Sequence, residues 1–308
     1  MKRYTITQFN LDFPNDDACL DVVKNLIYPT GITCRKCGVV RPHHRLTKRK
    51  AYSCDYCGTH VYPLAATIFE KSRSSLKSWF YAMYLMASTR TGISAKQLER
   101  ELGCTYKTAW RFFKQIRKLM SEVPEEPLPG DYELDETFWG GASKNRHRSK
   151  RNKEQGMGRG PTGKTPIFGI LQRGGYVTTY VIPKADTATI EPYIKRHIAP
   201  GSRISTDEAY HYRNLRMLGY SHGVVRHSAE VYVDGEITTN RIEGLWSTIK
   251  RGMSGVNHYV SPKYLQGYVD AYSFRYNHRD DATPMHRILT AMIRQVRDGK
   301  HGEYAPID

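Results

Sequence analysis

The stretch Asp131-Tyr132-Glu133-Leu134-Asp135-Glu136-Thr137-Phe138-Trp139, closed by Gly140-Gly141, decides how the rest of the chain is read. It has the look of a β-strand ended by glycine, and it carries four acids. Two apolar strands follow downstream, residues 166–172 and 176–182, joined by Arg173-Gly174-Gly175 as a hairpin. A helix with Ile190, Tyr193, Ile194 and Ile198 on one side comes next. A short strand over 203–206 then delivers Asp207 at its carboxyl end. The spacing predicts a helix over Ala209–Leu218 and a short β segment near Gly223–Arg226. A last amphipathic helix runs through TTNRIEGLWSTIKRG (238–252), with Ile242, Leu245, Trp246, Ile249 and Met253 as its buried stripe.

Three strands, helix, strand, helix, strand, helix is the order of the ribonuclease H-like fold, an α/β architecture of one mixed sheet with flanking helices. In that order acids stand on the first strand, after the fourth strand, and on the helix beyond the fifth. Here those positions hold Asp135, Asp207 and Glu243, with 35 residues between the last two. Carboxylates that converge suit hard divalent cations, and two such ions clamp the attacking and leaving oxygens of a phosphate. Lys250, seven residues after Glu243, shares its flank and offers a phosphate a point charge. Bland readings compete at each position. Asn240 with Glu243 forms a capping box, and Asp207 suits the cap of a following helix. Spacing alone does not choose Asp135 over Glu133 or Glu136.

Upstream, VPEEPLPG (123–130) reads as a linker. Before it, Trp79, Phe80, Met83, Tyr84 and Met86 recur at helical spacing. Ser94 then caps a short helix carrying Leu98 and Leu102. Gly103 turns the chain, and Thr105 caps a second helix bearing Ala109, Phe112, Phe113, Ile116 and Leu119. This pattern resembles a helix-turn-helix whose second helix offers Lys107, Arg111, Lys114, Arg117 and Lys118 to DNA.

Further upstream lie Cys34-x-x-Cys37-Gly38 and Cys54-x-x-Cys57-Gly58, 16 residues apart. Four thiolates in two knuckles are a zinc site, and each glycine suits the φ > 0 turn behind its knuckle. A disulfide pair fits less well in a chain with no secretory signal, which is expected to be cytoplasmic. His43, His44 and His60 are nearby, but the cysteines already fill a tetrahedron. Cys19 and Cys104 are expected to be small buried residues. The resulting division is 1–70 zinc ribbon, 71–122 helix-turn-helix, 123–130 linker and 131–308 catalytic domain.

Charge fits the same picture. Forty-seven Lys and Arg against 30 acids leave +17, far beyond what solubility needs, and so favour a polyanion partner. Residues 142–165 hold eight Lys or Arg and one acid, Glu154, and suit phosphate contact. Two helices at the carboxyl end, starting at Ser261-Pro262 and Thr283-Pro284, are expected to pack on the catalytic sheet.

The segments ELDETFWGG (133–141), ISTDEAYHY (204–212), VVRHSAEVYVDG (224–235) and TTNRIEGLWSTIKRGMSGVNHYVSPKYLQGYVDAYSFRYNHR (238–279) resemble the catalytic segments of insertion-sequence transposases. The group is the IS1595 family, with a zinc ribbon ahead of a DDE domain. The resemblance implies Asp135 and Asp207 as the first two acids. It leaves the third as Glu243 or Asn240, and Glu243 is preferred because a carboxylate holds Mg²⁺ better than an amide. Arg226 stands where the family pattern has Asn. The implied activity is binding of terminal inverted repeats in double-stranded DNA, then cleavage and strand transfer with Mg²⁺ or Mn²⁺, by a dimer or larger assembly. A zinc-ribbon regulator with an inert domain, or a nuclease that cuts without joining, are the competing functions.

Overall fold

The computed structural model describes residues 4–140, 163–225, 233–234 and 237–297, and these form two compact units. One is built from Met1–Met120 together with Arg279–Asp308, the other from Ser121–His278. Among the described residues, no helix is long and apolar enough to cross a membrane.

The first unit begins with two helices, α1 (Ile6–Asp12) and α2 (Asp16–Ile27). Thr5 and Asn15 cap them, accepting from the amides of Gln8 and Ala18. They bury Phe9, Cys19, Leu20 and Val23, and the connecting Phe13 meets Phe80 edge-on at 4.9 Å. Three short strands follow, β1 (His43–Arg45), β2 (Tyr52–Cys54) and β3 (His60–Val61), in one antiparallel sheet. Then come α3 (Leu76–Ser88), α4 (Ala95–Leu102) and α5 (Tyr106–Leu119). Ser94 and Thr105 cap α4 and α5 through their side chains, and Gly103 takes the left-handed conformation at φ 59° between them. Trp79 of α3 stacks on Phe112 of α5 with ring centroids 3.8 Å apart.

The second unit is organised around a five-stranded sheet. Its strands are β4 (Asp131–Trp139), β5 (Thr165–Gln172), β6 (Val177–Val181), β7 (Arg203–Thr206) and β8 (Ser221–Val224), in the order β6-β5-β4-β7-β8. The first three form an antiparallel meander, while β7 runs parallel to β4 and β8 parallel to β7. Helix α6 (Thr187–His197) connects β6 to β7. It packs Ile190 and Ile194 against Tyr132, Leu134, Phe168, Ile170 and Ile204. Beyond β8 are the two-residue strands β9 (Val233–Asp234) and β10 (Ile237–Thr238). Helices α7 (Asn240–Gly252) and α8 (Pro262–Asn277) then pack on β4, β5 and β6. The result is an α/β unit with a mixed sheet flanked by helices. The expected linker is not all a tether: Leu128 donates to the His197 carbonyl and accepts from Ala199 within this unit.

Three expectations are corrected. Ala209–Leu218 is no α-helix: one 3₁₀ turn, Tyr210–Tyr212, leads into tight turns. Its bonds are mostly i to i+3, as from Leu215 N–H to the Tyr212 carbonyl, because Tyr212, Leu215 and Tyr220 must all reach the core within a short span. Only the first carboxyl-terminal helix, α8, packs on the sheet. The other, α9 (Pro284–Arg297), lies on α2, α3 and α5 of the first unit and buries Met285, Ile288, Leu289 and Met292 there. Cys19 is fully buried as expected, but Cys104 is only half-buried, because it follows the glycine turn.

His197, at the end of α6, is 3% exposed and hydrogen-bonds through Nε2 to the Tyr180 hydroxyl at 2.6 Å. Burial, and then the Arg196 charge, depress its pKa to about 4. Between about pH 6.5 and 4 the unfolded chain binds this proton and the folded chain does not, so stability falls as pH drops through that window. His197→Gln should remove up to roughly 3 kcal/mol of the stability loss across that window, at about 1.36 kcal/mol per pH unit, and so flatten the decline in melting temperature there. An unchanged pH profile would show that another group governs acid lability.

Candidate active site

The three predicted acids reside on three elements of the second unit. On β4, Asp135 pairs in register with Gly169 of β5. Asp207 follows β7 directly, and the parallel register pairs Glu133 with Ser205. Two residues further along both strands stand Asp135 and Asp207. Their electrostatic coupling agrees: burial, then the charges of Glu136 and Asp207, push the Asp135 carboxyl up to about 7. Asp207 also accepts from the Ala209 amide at 3.0 Å, so its turn-capping role is real too. Glu243 projects from the first turn of α7, half-buried, and accepts from the Thr239 hydroxyl at 2.8 Å. Among the described residues the cysteine set is the one cluster of side chains gathered closely enough to hold a metal ion as it stands, and the three carboxylates are not such a cluster.

Trp246, one turn beyond Glu243, donates its indole N–H to Asp135 Oδ2 at 2.9 Å. This bond ties α7 to the strand carrying the first acid. It exists because residue 169 is glycine: a Cβ there would stand 2.6 Å from the indole Cζ2 and 3.0 Å from Ile242 Cδ1. A rigid ring cannot yield that space. Gly169→Ala should therefore cost about 1–3 kcal/mol through overpacking and loosen the hold on Asp135. Urea denaturation followed by tryptophan emission checks it, and a wild-type midpoint would refute the close fit.

The neighbouring acids separate by environment. Glu133 has no exposed surface and accepts from Arg173 Nε at 3.0 Å and from the amides of Arg241 and Ile242 at 3.0 and 3.1 Å. It caps α7, so the expected capping box at Asn240 is not what holds this end; Thr239 is the N-cap residue and makes no side-chain cap bond. Glu136, one residue past Asp135 on an alternating strand, accepts from the Tyr212 hydroxyl and lies 3.0 Å from His211 Nε2. Burial lowers the His211 pKa, but the Glu136 hydrogen bond and charge outweigh it and the net shift is upward. Asn240 and Lys250 are both exposed on α7, at its start and near its end. Sequence reasoning missed Glu133, Arg173, Trp246 and Gly169 as supports of the site.

In the first unit the ligating atoms of Cys34, Cys37, Cys54 and Cys57 all lie within 4.8 Å of one another. Each knuckle repeats one pattern. The Gly38 amide donates to the Cys34 carbonyl, and the Gly58 amide to that of Cys54, with φ of 75° and 72° at the two glycines. The three histidines are outside this group; His43 Nδ1 lies 2.8 Å from the Arg41 carbonyl. On α5, Lys107 and Arg111 are exposed and Lys114 and Lys118 half-buried, but Arg117 is not presented to solvent. It is 4% exposed, donates to the Phe113 carbonyl and lies 4.2 Å over the Phe113 ring, because its position falls on the buried stripe. The expectations for residues 142–162 and for Arg226 lie outside the described residues.

Comparison with known families bears on both regions of the chain. Residues 127–277 match the ISXO2-like transposase domain, and residues 14–60 match the transposase zinc-ribbon domain. The chain belongs to the ISXO2-like transposases. In this transposase the ribbon match contains the clustered Cys34, Cys37, Cys54 and Cys57, and the domain match contains Asp135, Asp207 and Glu243. Over 274 residues the transposase is 26% identical to an uncharacterized protein in transposable element ISH50 of Halobacterium salinarum, spanning 85% of this chain and 91% of the relative. It is also 26% identical over 104 residues to an uncharacterized transposase-like protein of Haemophilus influenzae, spanning 34% of this chain and 83% of that one. No solved structure matches.

Proposed function

We propose that this transposase binds the inverted repeats at the ends of an insertion sequence, cuts there, and joins the freed 3′-hydroxyl to target DNA. One observation carries the reading: Asp135 on β4 and Asp207 just past the end of the adjacent parallel β7 lie close enough that the Asp207 charge helps to push the Asp135 carboxyl up. The sheet order, a meander followed by two parallel strands, supports a ribonuclease H-like domain. A buried carboxylate crowded by like charges is suited to a divalent cation, whose charge offsets the repulsion. Asp135, Asp207 and Glu243 would hold Mg²⁺ or Mn²⁺, with Asn240 the alternative to Glu243. When bound, such a pair neutralises charge on the attacking and leaving oxygens of an in-line displacement.

The protein's own groups have distinct tasks. Trp246 fixes Asp135 Oδ2, which orients the carboxylate before DNA arrives. Lys250 meets a phosphate flanking the scissile one. Cys34, Cys37, Cys54 and Cys57 hold Zn²⁺ and with it the shape of the ribbon. Helices α4 and α5 act as a helix-turn-helix, with Lys107 and Arg111 toward the DNA backbone. Joining two ends calls for a dimer or larger assembly on DNA.

A strand-transfer assay with Mg²⁺ and short end-repeat DNA tests the reading. Wild type should give joined product and Asp207→Asn none. Cleavage without joining would make the protein a nuclease, and indifference to Asp207→Asn would make it a DNA-binding regulator. Glu243→Gln and Asn240→Ala in the same assay identify the third ligand: loss with the first and retention with the second selects Glu243.

A further inference from the structure

We propose that the ion pair of buried Glu133 with half-buried Arg173 is the positioning element that sets the spacing of the three acids. The inference rests on the reading that Asp135, Asp207 and Glu243 act together. Arg173 begins the turn after β5, and its backbone amide donates to the Asp131 carbonyl at 2.8 Å. Its side chain reaches all three acid-bearing segments. Nε donates to Glu133, two residues before Asp135. Nη2 contacts Ser205 Oγ at 3.4 Å, two residues before Asp207. The same nitrogen donates to the Thr238 carbonyl at 3.0 Å, in the lead-in to α7 and five residues before Glu243. Glu133 completes the tie by accepting the Arg241 and Ile242 amides, so its carboxylate anchors the first turn of the helix that carries Glu243.

Stability is a poor reason to build such a pair. Taking both charges out of water costs about what their attraction returns, and apolar residues of equal volume often serve the fold as well or better. What an Arg–carboxylate pair adds is direction, because the guanidinium and carboxylate forks fix angles as well as distances. Glu133 is chemically specific here. Its two oxygens accept from Arg173 on one side and from two backbone amides on the other, whereas an amide side chain has only one accepting oxygen. Gln at 133 must release either Arg173 or α7.

The test measures Mn²⁺ binding by electron paramagnetic resonance, counting only the part abolished by Asp135→Asn, alongside strand-transfer kinetics. Glu133→Gln should keep the wild-type circular dichroism spectrum yet bind Mn²⁺ about 10-fold or more weakly, as lost outer support does at other metal sites. Its kcat should fall on the order of 10²-fold, with KM for end DNA unchanged, because misplacement by about 1 Å costs that much. The double variant Glu133→Gln with Arg173→Met restores charge balance and should regain melting temperature without regaining Mn²⁺ affinity or kcat. It also stands in if the single variant fails to fold. Unchanged Mn²⁺ affinity in a folded variant overturns the proposal, as does a double variant whose affinity returns with its stability. A wild type that binds Mn²⁺ through Asp135 but joins no DNA would sink the function reading, while the binding arm still tests the pair.

Discussion

Asp135→Asn is expected to abolish strand transfer, on the order of 10³-fold or more, and at the same time to stabilise the metal-free protein above pH 7. The activity loss follows from removing a ligand that offsets transition-state charge, which is several kcal/mol of barrier. The stability gain follows from linkage. The Asp135 carboxyl sits at about 7 in the fold against 3.8 as its ordinary value. Between those values the folded state holds a proton that the unfolded state has lost, so stability falls as pH rises through the window and stays low above it. Asparagine carries no charge and escapes that penalty, about 2–4 kcal/mol at pH 8 by the 1.36 kcal/mol per unit conversion. Thermal melts at pH 5 and pH 8 would show the two proteins converging at the lower pH. Mg²⁺ should raise the wild-type melting temperature at pH 8 and leave the variant unmoved. Equal melting temperatures at pH 8 without metal would show that the site is open enough for water to screen these carboxylates.

Removing zinc should have the other large effect. The ribbon's three strands hold three, three and two residues, too few to stand without a cross-link. Structural zinc contributes on the order of 10–16 kcal/mol in comparable small sites, as much as a typical domain's whole stability of about 5–15 kcal/mol. Chelation, or Cys37→Ser, should therefore release the amide protection of residues 32–61 and abolish binding of end DNA. The sheet of the second unit should melt as before. Metal analysis should return about one zinc per chain. Ribbon amides that stay protected in zinc-free protein would show that hydrogen bonds alone hold the knuckles.

Much of this was legible beforehand, and the failures have physical causes. The hairpin strands of the second unit could be read because they are short apolar runs joined by a polar glycine turn, as in Pro166–Gln172 before Arg173-Gly174-Gly175. The cysteine site was readable because metal spacing is a local property of the chain. The segment after Asp207 was misread because Leu215 and Leu218 keep a helical period while the core demands a tighter path. Helix α2 was overlooked although Asn15-Asp16-Asp17 is an N-terminal signal followed by Cys19, Leu20 and Val23 on one face. The placement of α9 could not be read, since an amphipathic stripe states that a face is buried but not against what. Glu133 stood in plain view as one of several acids. Its role lies in the distance to two amides more than a hundred residues later, and no local pattern encodes that.

The packing of α9 on α2, α3 and α5 has a bearing on synthesis. The ribosome delivers the whole sheet-bearing unit before Met285, Ile288, Leu289 and Met292 exist to close the amino-terminal helices. Domains fold as they emerge at about 5–20 residues per second. The ribbon-bearing half is thus begun first and finished last, with the other half completed during the wait. A stop codon shortly after Asn277 would leave every strand of the sheet made, yet strip the amino-terminal helices of their final cover.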